Sequence, residues 1–264
     1  MSAAAESRLR ALDAVLDGQQ SSEAVADELF SVVDALGAQP SLRRALTDPS
    51  TPDEVRQQLA HALLDSRVGA STAAVVAQAA GIRWTTGDAF VAAIERQGVR
   101  ALLRVAQDAG QLDELEDQLF KVERLVDAHP DLRRTLGDRR TPLEARASLL
   151  GDLVEGRVLP SVGRLARRAV AARQRTFDLT VEDYLKVAAE LRARAVATVT
   201  VAQPLSAEQE ARLKAALSRQ VGRDVNVRVV LDPTVLGGVR VSLGDELIEG
   251  TVAGRLADAQ RKLA

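Results

Sequence analysis

Residues 232–264 read DPTVLGGVRVSLGDELIEGTVAGRLADAQRKLA, and this stretch decides the architecture at the end of the chain. Asp232-Pro233 opens a turn, because proline fixes φ and aspartate hydrogen-bonds its own backbone. Gly237-Gly238 then supplies a joint free of side-chain clashes. Val239, Val241 and Leu243 alternate with Arg240 and Ser242, the period of a strand with one inward face. Gly244-Asp245 turns the chain into a second short strand, Leu247 to Glu249. After Gly250, Thr251 is placed to cap a closing helix with Val252, Leu256 and Leu263 on its apolar side and Arg261 and Lys262 at its C-terminal end. The whole stretch contains no catalytic group.

Upstream, the same grammar continues as far as residue 196. The run VATVTVA at 196–202 is β-rich, and Ser206 with Gln209 opens a capped helix whose Leu213, Leu217 and Val221 share a face before Gly222. From Asp224 the pattern alternates, with Val225, Val227, Val229 and Leu231 on one side. The order strand, helix, strand, hairpin, helix predicts a small α/β domain over 196–264.

The first 195 residues follow a different rule. Sliding the chain by 90 residues aligns PSLRRALTDPSTPDEVRQQL at 40–59 with PDLRRTLGDRRTPLEARASL at 130–149, identical at 11 of 20 positions without a gap. The offset persists beyond that window: Arg10-Ala11-Leu12 falls on Arg100-Ala101-Leu102, Leu29-Phe30 on Leu119-Phe120, and Asp88 on Asp178. A duplicated unit is the reading. Each copy is helical, since Leu112, Leu115, Leu119, Val122, Leu125 and Val126 recur at three- and four-residue steps before Pro130. Thr141-Pro142 with Glu144, and Thr51-Pro52 with Glu54, read as capped helix starts with proline at the first helical position. In the second copy the spacing predicts helices near 98–108, 111–128, 130–137, 142–154, 159–172 and 179–195. Phe90, Ile94, Ala101, Leu102 and Val105 keep one helical phase across the join, which predicts a single rod shared by the copies and softened at Gly98. The expected fold is mainly α with a small α/β C-terminal domain. Two tandem six-helix-type bundles, 1–97 and 98–195, precede the module at 196–264.

Composition narrows the function. At 264 residues the chain exceeds one average domain, and with 2% aromatics its cores must be built from Leu, Val and Ala. A net charge of −2 offers no global basic field to nucleic acid. The absence of cysteine excludes disulfides, thiolate nucleophiles and cysteine-based zinc sites. No apolar run is long enough to span a bilayer, and the N-terminus lacks the pattern of a signal peptide, so a soluble cytoplasmic chain is expected. Arginine outnumbers lysine 31 to 4, in keeping with a GC-rich genome.

Catalytic signatures are missing as well. None of the four lysines follows a phosphate-cradling glycine pattern, and Gly237-Gly238 precedes a strand, so it offers no helix N-terminus to a phosphate. His61 and His129 do not occupy equivalent positions in the copies and read as surface histidines. Asp113 to Asp117 is the polar face of a helix, and Trp84 and Tyr184 are packing anchors. The arginines at 164, 167, 168, 173 and 175 form the most basic stretch, readable as a solvated face or as a surface for an acidic partner. No cofactor, metal or catalytic site is predicted.

The closing stretch resembles the C-terminal signature of the delta subunit of F-type ATP synthases, the oligomycin-sensitivity-conferring protein family. The resemblance rests on Asp232, Leu236, Gly237, Gly238, Gly244, Asp245, Ile248, Gly250, Thr251, Val252, Gly254 and Leu256, matched without a gap. Residues 98–264 cover one ordinary member, and the first copy is an extension. The resemblance implies a non-catalytic peripheral-stalk (stator) subunit on the cytoplasmic face of the membrane, without membrane insertion of its own. Its helical bundle would grip N-terminal segments of alpha subunits and its C-terminal domain would meet b-type stalk subunits, with no nucleic acid expected. The family's opening-helix pattern is degenerate here, since Gly98-Val99-Arg100-Ala101-Leu102-Leu103 lacks the usual aromatic. The groove residues it implies lie on the bundle's first and fifth helices: Ala101, Leu102, Val105, Leu165 and Ala169, with Arg168 at the rim. The competing reading is a helical-repeat adaptor that binds acidic partners or nucleic acid.

Overall fold

The computed structural model describes residues 3–20, 22–172, 175–194, 196–221, 225–232, 238–243 and 246–251. The chain divides into two compact units, Met1–Ala188 and Ala189–Ala264.

The first unit is helical. The first copy supplies α1 (Ala3–Asp17), α2 (Glu23–Ala38), α3 (Pro40–Thr47), α4 (Asp53–Leu64) and α5 (Ala70–Gly81). The second supplies α7 (Leu112–Ala128), α8 (Pro130–Gly137), α9 (Leu143–Val154) and α10 (Pro160–Ala171), followed by α11 (Phe177–Arg194). Between them α6 runs unbroken from Gly87 to Asp108 and is the predicted rod. Thr86 caps its N-terminus by accepting a hydrogen bond from the Ala89 amide at 3.1 Å. Its C-terminus closes on Gly110, whose φ of 70° lets the Gly110 and Gln111 amides reach the Gln107 and Ala106 carbonyls. Phe90, Ile94, Leu102 and Leu103 are all buried, so α6 contributes to the cores on both sides of the join.

Gly98 does not soften this rod. A Cβ there would lie 2.6 Å from Cε1 of Phe30, so the missing side chain is the space into which the α2 phenyl ring packs.

The Thr-Pro helix starts differ from the expectation. α4 and α9 begin one residue after the proline, Pro52 and Pro142 are the N-caps, and no side chain caps either helix. An arginine from inside each helix serves the preceding turn instead. Arg56, 1% exposed, donates to the carbonyls of Asp48, Thr51 and Ala80 and to the Asp53 carboxylate. Arg146 donates to the carbonyls of Leu136 and Thr141. With its carbonyl drawn to the guanidinium, the threonine stays in the turn and the helix starts later.

The second unit holds a four-stranded sheet in the order β2-β1-β3-β4, from β1 (Val196–Val201), β2 (Asn226–Leu231), β3 (Gly238–Leu243) and β4 (Glu246–Thr251). β1 and β2 are parallel and need the crossover helix α12 (Ala207–Val221), whereas β3 is antiparallel to both β1 and β4. The predicted capping box is present: Gln209 donates to Ser206 Oγ, and the Ser206 amide donates to Gln209 Oε1. Val199, Val201, Leu217, Val225 and Val241 form the core, with Val227, Val229 and Val239 against it. Leu231 departs from the predicted inward side and is 56% exposed, because β2 is the outer strand and Leu231 is its last residue.

Candidate partner-binding site

The residues expected to line a groove are mostly interior. Ala101, Leu102, Leu165 and Ala169 are buried and Val105 is half-buried. Arg168 is engaged within the chain. Its Nε lies 2.6 Å from Glu95 on α6, its Nη1 lies 2.8 Å from Asp34 on α2, and its guanidinium carbon sits 5.0 Å from the centre of the Phe30 ring. One turn earlier, Arg164 pairs with Glu23 at 3.0 Å and Asp27 at 3.4 Å. Burial works against the Arg168 charge, yet Glu95 and Asp34 hold its pKa above the ordinary arginine value. The acidic partner of this basic stretch is thus the first copy of the same chain. Arg175 pairs with Asp183 at 2.7 Å and Arg167 is exposed, while Arg173 lies outside the described residues. Beside this junction the Tyr184 phenol is buried without a hydrogen-bond partner, and burial pushes its pKa well above the usual value, with Glu95 adding to the shift.

A second ionic seam joins α1 to α6. Asp13, 2% exposed, accepts from Arg96 and from Gln97 Nε2, and Asp17 accepts two bonds from Arg100 Nη2 at 2.7 and 2.9 Å. Burial alone would raise the Asp13 pKa, but Arg100 and Arg96 hold it below its ordinary value. Arg104 donates to the carbonyls of Leu16 and Gln19, so a cation closes the C-terminal end of α1. Arg10, the duplicate of Arg100, is exposed and 3.9 Å from Glu6. Periodicity does not reveal this seam. Its trace in the sequence is that Asp13, Asp17, Arg96, Arg100 and Arg104 recur at one-turn spacing along two helices.

The helical unit therefore behaves as one body, with two copies locked by a shared helix, a phenyl ring seated on a glycine and two charge clusters. Its open surfaces are the ones these contacts leave uncovered. On α5 the positions matching Arg164 and Arg168 are Ala74 and Gln78, both half-buried, as are Ala11 and Val15 on the adjoining α1. That face is small and neutral, suited to an amphipathic helix.

Of the closing signature, Asp232 donates its amide to the Val201 carbonyl at 2.9 Å. Gly238 pairs with Thr251 and Gly250 with Val239 across the hairpin, and Ile248 pairs with Val241. Leu236, Gly237, Gly244, Asp245, Val252, Gly254, Leu256 and the expected closing helix lie outside the described residues. His61 and His129 are exposed, bonded respectively to Asp65 and to the Leu125 carbonyl. Among the described residues no group of side chains is arranged to hold a metal ion, and no helix is long and apolar enough to cross a membrane.

Residues 94–263 match the family model described as the ATP synthase delta (OSCP) subunit. The chain is 41% identical over 243 residues to an ATP synthase subunit delta of Nocardioides sp., covering 91% of this chain and 87% of the relative. With the subunit delta of Parafrankia sp. it shares 42% over 240 residues, 90% and 86% of the two chains. With that of Kineococcus radiotolerans it shares 39% over 266 residues, 98% and 96% of the two chains, so the first helical copy has a counterpart there. A chain of the Toxoplasma gondii mitochondrial ATP synthase hexamer matches with 21% identity and a TM-score of 0.32 over 62% of this chain and 94% of that one, too distant to inform the fold. On the family model and the relatives together, the chain belongs to the ATP synthase delta (OSCP) subunit family.

Proposed function

We infer that the chain is a peripheral-stalk subunit of an F-type ATP synthase, a non-catalytic stator part that keeps the catalytic head from turning with the rotor. Family membership over residues 94–263 carries this reading, and the locked helical unit suits a part that must transmit load without yielding. The helical unit binds N-terminal segments of alpha subunits, and the C-terminal sheet unit meets b-type stalk subunits, on the cytoplasmic face of the membrane. Because most of the expected groove on α6 and α10 is buried, the neutral face of α1 and α5 in the first copy is the better seat for an alpha-subunit helix, with half-buried Val105 marking what remains accessible on the second. Two such grips on one rigid body would raise avidity through effective concentration.

The test is affinity purification of the tagged full chain from solubilised membranes, with the partners identified by mass spectrometry. The alpha and b subunits should co-purify, and Ala74→Glu on α5 should reduce the alpha yield while leaving the b yield unchanged. Recovery of the chain without either subunit would overturn the stator reading. An unchanged alpha yield with Ala74→Glu would overturn only the assignment of the α1 and α5 face.

A further inference from the structure

The duplication displays how a helix is seated on one face of a copy. In the second copy that face is the side of α6 and α10 over which α2 lies. Glu23 and Asp27 meet Arg164, Asp34 meets Arg168, and the Phe30 ring fills the space that Gly98 leaves. Shifted by 90 residues, the corresponding positions of the first copy hold Ala5 and Arg8 on α1, in place of Glu95 and Gly98, and Ala74 and Gln78 on α5, in place of Arg164 and Arg168. All four are half-buried.

The two faces ask for different occupants. Carboxylates placed like Glu23, Asp27 and Asp34 would find no cation on α5, only Ala74 and Gln78. A ring placed like Phe30 would find no space on α1, because Arg8 carries a side chain where Gly98 has none. Arg8 itself has neither an ion pair nor a hydrogen bond among the described residues, while Arg10, further along α1, faces Glu6 at 3.9 Å. Ala11 and Val15 follow Arg8 at three- and four-residue steps on the same side of α1, so a spare guanidinium stands at the edge of a small apolar face. Half out of water and without a counter-charge, it favours a carboxylate from outside. The missing cations on α5 select against the charges that α2 carries.

We propose that Arg8 sets the specificity of the α1 and α5 face: the alpha-subunit helix seated there carries a carboxylate where α2 carries Phe30, and uncharged side chains where α2 carries Glu23, Asp27 and Asp34. The assignment of the face to an alpha-subunit helix rests on the function inferred above. The charge pattern required of that helix rests on the repeat alone, and it keeps helices of the α2 kind, including α2 of a second copy of the chain, off the face.

The experiment recovers the tagged full chain from solubilised membranes and measures the alpha subunit that comes with it. Arg8→Glu should lower the alpha yield by about tenfold, the scale of a charge-assisted contact turned into repulsion. Arg8→Lys should keep the yield. On treatment with a water-soluble carbodiimide, its amine should form an amide with an aspartate or glutamate of an alpha-subunit helix, located by mass spectrometry. Ala74→Arg combined with Gln78→Arg should bring no gain, because the partner has no carboxylates to meet them. Arg8 is half-buried and unpaired, so its variants should melt with the wild-type chain, separating a lost contact from a lost fold. An alpha yield indifferent to Arg8→Glu, an amine at position 8 that couples to no alpha-subunit carboxylate, or a gain with the double variant on α5 overturns the proposal and leaves the stator reading standing. A wild-type chain recovered without any alpha subunit overturns the stator reading and the proposal with it.

Discussion

Arg56 and Arg146 hold the same place in two copies of one unit, yet they are embedded differently. Arg56 is almost wholly buried and bonds three carbonyls and a carboxylate, tying the turn before α4 to the end of α5. Arg146 is half-buried and bonds two carbonyls of the turn before α9. Similar differences recur across the copies. Arg100 is fully buried between carboxylates while Arg10 lies in water, and Phe30 is covered while Phe120 is not. A duplicated sequence folds twice to the same helices, but its polar contacts diverge according to what each copy touches. The first copy turns its charges inward toward the second, whereas the second leaves Phe120 half exposed on its outer side.

The divergence between the copies should show most strongly at the two arginine staples. Arg56→Ala removes a buried donor from three carbonyls and a carboxylate and should destabilise the helical unit by about 3 kcal/mol, against about 1 kcal/mol for Arg146→Ala, read from urea unfolding midpoints. Equal losses would mean the two staples are equivalent after all. Asp13→Asn should cost about 2 kcal/mol at neutral pH, because it removes a buried charge that faces Arg96 and Arg100. The Asp13 pKa is depressed below 3.8, so its contribution is complete above that value and is lost as pH falls through the lower folded value. The variant should therefore show a shallower loss of stability on acidification than the wild type.

Gly98→Ala should cost about 1 kcal/mol, since the clash with Phe30 outweighs the gain in helix propensity. Adding Phe30→Ala should reverse the sign of that substitution, as a double-mutant cycle would display. The smallest effect belongs to Glu123→Gln. A raised carboxyl pKa means folding is hindered by its charge at neutral pH and relieved as pH falls through the folded value toward the unfolded one. The variant should melt slightly higher at pH 7 and no differently in acid, by calorimetry.

Much of this was legible in the sequence. The predicted 130–137 helix is α8 to the residue, the 159–172 prediction differs from α10 by one residue at each end, and the continuous rod is α6. Those elements are announced by periodicity and proline. The capping box at Ser206 is equally plain, while the one expected at Thr141 is not formed, because Arg146, five residues on, is a better partner for the turn than a hydroxyl is for the helix. The charge clusters were hidden for another reason. Pattern shows that Arg164 and Arg168 share a face, but which carboxylates they meet depends on how α2 and α10 approach, and that is tertiary. The same holds for Gly98, where a helix-weakening residue was really a contact. Strand alternation located the inward valines, and Leu231 escaped it because the position of β2 at the sheet edge is topology, not period.

The shared helix has a consequence for the history of this chain. Since α6 completes one copy and begins the other, neither can be shed without injury to its neighbour. A descendant lacking residues 1–86 would carry Gly98 as a bare weak point, Arg100 without Asp17, Arg164 without Glu23 and Asp27, and Arg168 with Glu95 but without Asp34. Returning to a single bundle would need several compensating substitutions at once, so the duplication works as a ratchet: simple to enter, costly to leave.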